Sequence, residues 1–512
     1  MGITDFLQHK LLLWIDRYLV LLLLVIFCLR TGFLFSSDIG LVGDESYYWE
    51  WSRRPDWCYF SKPPMVAWLI AAFTQLFGND AGVVRLPVVV CGTVFLWYFH
   101  ATAQAFYGRR AAAFALLLVL ATPDNVIANL FMTIDPPLNC FWMMSVYYLR
   151  GALFEQKPAC WFWAGCATAL GLLSKQVAIV LPLMLLVFLL TDSRRRVWLQ
   201  REFWLYLLPV LAAGIPILLW NQQHEWVMFT HSKTHFTSQI SSSLVMSFTY
   251  FGELVLFQGL LISPLIFGLV MLSSWQLLKR FKTLQPEQQF LLLMGPVLLF
   301  GILLLSIKQK VQGNWPMPFY FTGFILLSGQ WAVGSWQRWS SYALKLGFAM
   351  VLTTYLLPTA LKLFNLENTS LDPIKRFKHW PELVAEIQAE RVSVIPDLPH
   401  SFVVALGHRN IASQLAFYLP DHPQVFRYEA NGVIKSQYEI WPGPVEFTGA
   451  DALVVSDASS VAEPVRAAFG KFTYLTEIVN PMQKNAKFYL FLAERLTHWP
   501  VAGATLPAGE PE

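Results

Sequence analysis

Two carboxylates stand side by side just beyond the first long apolar run, in Gly43-Asp44-Glu45-Ser46-Tyr47-Tyr48-Trp49-Glu50-Trp51. A carboxylate at a membrane boundary can take a proton from an acceptor hydroxyl or amine, so Asp44 and Glu45 are candidates for catalysis. Their neighbours Tyr47 and Tyr48, with Tyr59 further along, suit the wall of a sugar pocket or the headgroup level of a bilayer. A third carboxylate, Asp135, opens an apolar stretch in Met132-Thr133-Ile134-Asp135-Pro136-Pro137. A helix start tolerates an anion there, and a plain helix cap is the competing reading. Cations gather with these acids. Lys62 lies in Phe60-Ser61-Lys62-Pro63-Pro64, Arg85 in Val84-Arg85-Leu86-Pro87, and Lys308 and Lys310 precede Gly313-Asn314-Trp315-Pro316. Ammonium and guanidinium groups at interfacial depth hold phosphate well, while snorkelling of a long side chain is the plainer alternative. Asn314, Trp315 and His224 (in Trp220-Asn221-Gln222-Gln223-His224) complete the candidates for lining a substrate pocket. Lys175 is either a turn charge or another phosphate ligand.

Lipid must position these residues. The 512-residue chain is 55% apolar and only 14% charged, with a mean hydropathy of +0.46, against the roughly 25% charge that an average soluble chain carries. A net charge of +4, dispersed along the chain, gives no footprint for nucleic acid. The six cysteines follow no disulfide or metal-ligand spacing, and the first apolar run reads as a retained anchor.

About eleven apolar stretches are long enough, or nearly so, to cross a bilayer: roughly 13–33, 83–105, 111–123, 137–154, 160–174, 176–191, 203–220, 249–275, 289–307, 317–334 and 342–363. With the N-terminus inside, the basic connections at Arg109-Arg110, Asp192 to Arg201 and Lys279 to Lys282 fall on the inner side, as the positive-inside rule requires. The expected organisation is a transmembrane domain over 1–364 with outer loops near 36–82 and 221–248. An outer α/β domain follows over 365–498, then a disordered tail over 499–512. Strand-like runs at Phe402 to Leu406, Ala452 to Val455 and Phe488 to Leu492 alternate with helical patterns at Pro381 to Arg391 and Val461 to Phe469. The fold class is thus a mainly α, polytopic membrane protein with a small C-terminal α/β domain outside the cytoplasm.

Gly43-Asp44-Glu45 with Tyr47-Tyr48, Phe60-Ser61-Lys62-Pro63-Pro64, Arg85-Leu86-Pro87 and Ile134-Asp135-Pro136 together resemble the bacterial relatives of the protein O-mannosyltransferases. These belong to the GT-C superfamily, and the lipid A aminoarabinose transferases are the nearest well-understood group. The likeness covers roughly residues 1–335 and implies an undecaprenyl-phosphate-linked sugar donor, with transfer on the periplasmic face of a bacterial inner membrane. It places a catalytic aspartate at Asp44, a second acid at Asp135 and a phosphate-contacting lysine at Lys62. A later lysine loop falls at Lys308 and Lys310. Ser61 stands where the aminoarabinose transferases carry an acidic residue, so the sugar need not be the same.

The resulting expectation is a glycosyltransferase acting by direct displacement. The acceptor attacks the anomeric carbon, Asp44 takes its proton, and Lys62, Lys308, Lys310 and Arg85 stabilise the departing polyprenyl phosphate. Glu45 and Asp135 hold the acceptor or shape the pocket. Lipid A of lipopolysaccharide, another glycan or a protein side chain would serve as acceptor, lipid or glycan first. No metal site or cofactor is required by the residues; a divalent ion is left open, because carboxylates near phosphate can recruit one. A transporter or flippase of lipid-linked sugars is the alternative, and a scaffold protein the third reading. Transporters commonly show inverted repeats and midplane charges, whereas this chain shows no repeat and its charged clusters fall at the outer boundary.

Overall fold

A computed structural model describes residues 3–37, 39–192, 195, 201–237, 240, 243–331, 337–429, 432–480 and 486–500. The expected tail lies outside the described residues from 501 onward. The chain forms two compact units, each assembled from three stretches of sequence: 1–34, 85–219 and 236–357 in the first, and 35–84, 220–235 and 358–512 in the second.

The first unit is helical. Six helices among the described residues of the chain are long and apolar enough to cross a membrane: Leu19–Ser36, Ala81–Leu120, Arg201–Gln223, Leu244–Ile262, Pro286–Leu305 and Arg338–Leu363. This is a multi-pass membrane protein. Several expected spans divide differently from the sequence reading. The run over 249–275 is two helices, Leu244–Ile262 and Pro264–Leu278, because Ser263 takes a φ of +76° and Pro264 has no N–H to continue the ladder. The runs over 83–105 and 111–123 are, as expected, two helical stretches within Ala81–Leu120, parted at Gly108, whose non-helical φ of +79° a side chain would strain. Pro286–Leu293 and Pro296–Leu305 part at Gly295, where a Cβ would lie 2.5 Å from the Phe319 carbonyl oxygen.

Asp135–Phe154 and Pro158–Ser174 form a helical hairpin around the short turn Glu155-Gln156-Lys157. Gly165 lets the backbone at Tyr206 come close, since a Cβ there would sit 2.2 Å from the Tyr206 carbonyl oxygen. The buried hydroxyls of Ser145 and Thr168 then meet at 2.7 Å, and Thr168 meets the Tyr206 hydroxyl at 3.0 Å. Each buried polar group thereby gains a partner, and this chain of hydroxyls fixes the hairpin's register. The hairpin brings the start of its first helix beside the end of its second, which is how Asp135 and Lys175 meet.

The second unit is built on a five-stranded sheet of β1 (Phe402–Leu406), β2 (Val425–Arg427), β3 (Ala452–Ser456), β4 (Phe469–Val479) and β5 (Lys487–Leu496). The strand order is β2-β1-β3-β5-β4. β1 runs parallel to both its neighbours, and β5 is antiparallel to β3 and β4. Phe402, Val404, Phe426, Val454, Val465, Phe469 and Phe491 fill its core. β1 and β3 are buried throughout, as their unbroken apolar runs require. The helix expected over Val461 to Phe469 shrinks to Glu463–Ala467, and Phe469 opens β4 instead. Trp380–Val394 matches the expected helix at Pro381 to Arg391.

The stretch around Asp44 belongs to this same unit. Its ten-residue helix, Gly43–Ser52, packs on the helix Arg409–Tyr418. Small residues three apart make the close approach: Gly43 has Asn410 against it, where a Cβ would fall 2.2 Å from Oδ1, and Ser46 Oγ lies 2.9 Å from Ser413 Oγ. Gln414 Nε2 donates to the Leu41 carbonyl at 2.8 Å, and Leu41 N donates to the Tyr418 hydroxyl at 2.7 Å. Segments 365 or more residues apart in sequence are thus joined by fixed hydrogen bonds.

Candidate functional site

In the second unit, every residue of the Gly43–Ser52 helix from Glu45 onward is buried, while the Asp44 side chain stays 54% exposed. A helix with so little free surface presents one carboxylate, and it does so in the first turn, where the N-terminal end of the dipole favours negative charge. Arg409 Nη2 lies 3.5 Å from Asp44 Oδ1, and its guanidinium sits 5.0 Å from the centre of the Tyr47 ring.

Glu45, read from the sequence as a partner in catalysis, turns the other way. It is fully buried, and its Oε2 accepts from Val42 N at 3.0 Å, the reach-back half of a capping box. Tyr47 is buried too; its hydroxyl accepts from Gln437 N at 2.6 Å, and burial pushes its pKa up to about 12. Tyr48 packs against the Trp51 and Tyr47 rings. Tyr59 stacks on Trp51 at 4.4 Å and donates its hydroxyl to backbone carbonyls. His224 stacks on Trp220 at 4.0 Å and pairs with that residue's carbonyl. Tyr47, Tyr48, Trp51 and Tyr59 thus pack the Asp44 helix in place. Lys62 is half-buried, and its carbonyl accepts from Tyr59 N at 3.1 Å. Glu50, which the sequence reading passed over, is buried against Arg53 at 3.1 Å, and burial raises its pKa.

In the first unit, Asp135 is the centre of a cluster. Lys175 Nζ reaches its Oδ1 at 2.7 Å and Asn314 Nδ2 reaches its Oδ2 at 2.7 Å. Asp135 is the first residue of its helix, and its carboxylate serves this cluster rather than a simple cap. The connection after Leu305 is pinned by neighbours. Gln258 Nε2 donates to the Gly313 carbonyl at 2.9 Å while its Oε1 accepts from the Tyr320 hydroxyl, and Ile240 bridges Gln309. Lys310 lies 3.5 Å from Glu253, with both side chains about half exposed. Lys308 is exposed, and Trp315 hydrogen-bonds to Gln312. Arg85 is buried, with its guanidinium over the Phe131 ring at 5.4 Å.

Sequence reasoning missed Asp124. It sits in the short helix Pro123–Ile127 and opens on a cavity of about 20 Å³ lined also by Thr122, Asn125, Asn129, Pro136, Asn139 and Tyr320. Burial, and then the charge of Asp135, raise its pKa to about 7. Its signal was Thr122-Pro123-Asp124-Asn125, an ordinary helix start by composition. Among the described residues, no three His, Cys, Asp or Glu side chains group as metal ligands.

Residues 61–220 match the family described as dolichyl-phosphate-mannose-protein mannosyltransferase. The lipid A galacturonosyltransferase RgtD of Rhizobium johnstonii is 26% identical over 287 residues, 55% of this chain and 59% of that protein. The putative mannosyltransferase YycA of Bacillus subtilis is 26% identical over 200 residues, 38% of this chain and 28% of that protein. The match therefore spans less than two thirds of either relative. ArnT from Cupriavidus metallidurans, solved in complex with undecaprenyl phosphate, superposes with a TM-score of 0.60 at 20% identity, covering 94% of this chain and 98% of that one. The chain has a GT-C fold. Its apo counterpart from the same organism gives the same TM-score, 0.60, at 18% identity. Within the chain the family match takes in Lys62, Arg85, Asp124, Asp135 and Lys175, and stops short of Asp44 and of Asn314.

Proposed function

We propose that this GT-C chain is a membrane glycosyltransferase that moves a sugar from a polyprenyl-phosphate donor to a lipid or glycan acceptor on the periplasmic side. The observation that carries the reading is Asp44, a single exposed carboxylate on an otherwise buried helix. Support comes also from the acidic and basic residues held in fixed geometry around Asp135, and from relatives that include a lipid A glycosyltransferase and a protein solved with undecaprenyl phosphate.

In the reaction, an acceptor oxygen or nitrogen forms a bond to the anomeric carbon as the bond from that carbon to the phosphate oxygen breaks. Asp44 receives the acceptor's proton, and the electron pair leaves on polyprenyl phosphate. Lys62, in the same unit as Asp44, is the cation assigned to that phosphate. Stabilising charge that develops on a leaving group is commonly the largest catalytic contribution. The reaction needs no oxidant, and we assign no step to a metal. The basic inner connections set the orientation in this reading.

The test follows labelled sugar from membrane lipids in wild type, Asp44→Asn and Lys62→Ala. We expect label to pass from polyprenyl phosphate to a new product in the wild type, with losses of about 10²–10⁴ for Asp44→Asn and about 10²–10³ for Lys62→Ala. Full transfer by a folded Asp44→Asn protein refutes the assignment. Label that changes sides of the membrane on an unchanged carrier would make the protein a transporter.

A further inference from the structure

Asp124 is a partly buried carboxylate without a hydrogen-bond or ion-pair partner among the described residues, and it lines this small cavity. The residues that line its cavity add further unmet oxygens. Asn129 and Asn139 are 4% and 7% exposed, and the side-chain oxygen of each has no hydrogen-bond partner. Asn129 has already spent its amide N–H on the Asn125 carbonyl at 2.6 Å and the Asn125 side-chain oxygen at 3.3 Å. Gly92 is what admits this amide, since a Cβ there would lie 1.5 Å from Asn129 Oδ1. The Thr122 hydroxyl donates to the Val119 carbonyl, and the Tyr320 hydroxyl to Gln258. Thr122, Tyr320 and the Asn129 amide thus donate elsewhere, while the side-chain oxygens of Asn129 and Asn139 remain unmet.

Burying such oxygens without a positive partner is costly. We propose that this cavity is a binding site for one small monovalent cation of the size of sodium, held by the Asp124 carboxylate and the side-chain oxygens of Asn129 and Asn139. The volume of about 20 Å³ admits one such ion or one water. One carboxylate matches a single positive charge, while calcium would take 6–8 oxygens. The charged and titratable groups facing Asp124 do not supply that charge. Asp135 is of like sign and already paired with Lys175, and Tyr320 is a neutral phenol. From the Leu19–Ser36 helix, Arg30 turns its Nη2 to the Asn125 carbonyl at 3.4 Å. The remaining wall, from Gly92, Phe95, Val119 and Ile262, carries no charge. The cation links the end of the Ala81–Leu120 helix to the start of the Asp135 helix and offsets the repulsion between the two aspartates. Protons compete for the same carboxylate.

The experiment measures binding of radioactive sodium to the full-length protein in nanodiscs, with choline as the replacement cation. We expect saturable binding at pH 8 that weakens about tenfold at pH 6, because only the ionised fraction of Asp124 binds. Asp124→Asn and Asn129→Leu should each abolish it, while Asp44→Asn, on the other unit, should bind as wild type does. This readout needs no transfer activity, so it stands or fails apart from the proposed reaction. Absence of saturable binding in the wild type, or binding indifferent to pH between 6 and 8, overturns the proposal and leaves a water in the cavity. Should Asp124→Asn not fold, the pH series on wild type and Asn129→Leu decide.

Discussion

Replacing Lys175 by methionine tests whether the Asp135 cluster is a bonded unit. Both side chains of the pair are only 14% exposed, and the contact is 2.7 Å, a full charge-assisted hydrogen bond. Methionine keeps most of the volume but leaves Asp135 with one neutral donor, Asn314, and a neighbouring acid, Asp124. Removing one partner of a pair this secluded costs about 3–5 kcal/mol. In thermal unfolding of the solubilised chain this corresponds to a drop of about 3–5 °C, at about 1 °C per kcal/mol for a chain of this length. The double variant Lys175→Met with Asp135→Leu removes both charges and should recover much of that loss. The cycle of wild type, both single variants and the double should then show a coupling of at least about 2 kcal/mol. A double variant no more stable than the additive expectation would mean that the two side chains do not depend on each other, and the clustered reading of Asp135 would be wrong.

Glu45 separates two roles by a pair of substitutions. Glu45→Gln keeps an acceptor for Val42 N and should preserve transfer, whereas Glu45→Ala should lower stability by about 1 kcal/mol and activity with it; a loss of transfer in Glu45→Gln at wild-type stability would make Glu45 catalytic after all. Asp124 gives a pH signature in sodium-free, choline-containing buffer. Its folded-state pKa of about 7 lies above the ordinary aspartate value of 3.8, so the folded state binds the proton more tightly and stability falls as pH rises between those values. Asp124→Asn should flatten that slope, and melting curves from pH 4 to 8 for both proteins check it.

The membrane character and the strands were legible because they rest on local composition. β1 and β3 are short unbroken apolar runs, and the runs at Phe402 to Leu406 and Ala452 to Val455 fall on them directly. β4 was missed because its residues Phe469 to Val479 alternate with lysine, threonine and glutamate as a partly exposed strand must. The break at Ser263 was invisible to hydropathy, which reads apolar length and not backbone dihedrals. Among the candidate residues, Asp44 and Asp135 stood out by type and place. What each touches did not, because Arg409 is 365 residues from Asp44 and Asn314 is 179 from Asp135. Glu45 looked equivalent to Asp44 only because adjacent helical residues point about 100° apart, a difference that matters once a wall is packed around them. Asp124 resembles any acid in a helix's first turn until its cavity is seen.

The hydrogen bonds between the Gly43–Ser52 helix and the Arg409–Tyr418 helix set a schedule for biosynthesis. The segment that carries Asp44 leaves the ribosome well ahead of its partners, which are 365 residues or more behind it. At about 5–20 residues per second, that interval is about 20 to 70 s. Throughout it, the buried faces of Tyr47 and Trp49 have no Tyr438, Phe417 or Gln437 to meet. A nascent chain therefore inserts most of its helices before its exposed carboxylate has a scaffold, and a chain that stops short of residue 409 cannot position it. The sheet-bearing unit thus acts as a checkpoint: Asp44 acquires its fixed setting only in chains that have been read past Tyr438.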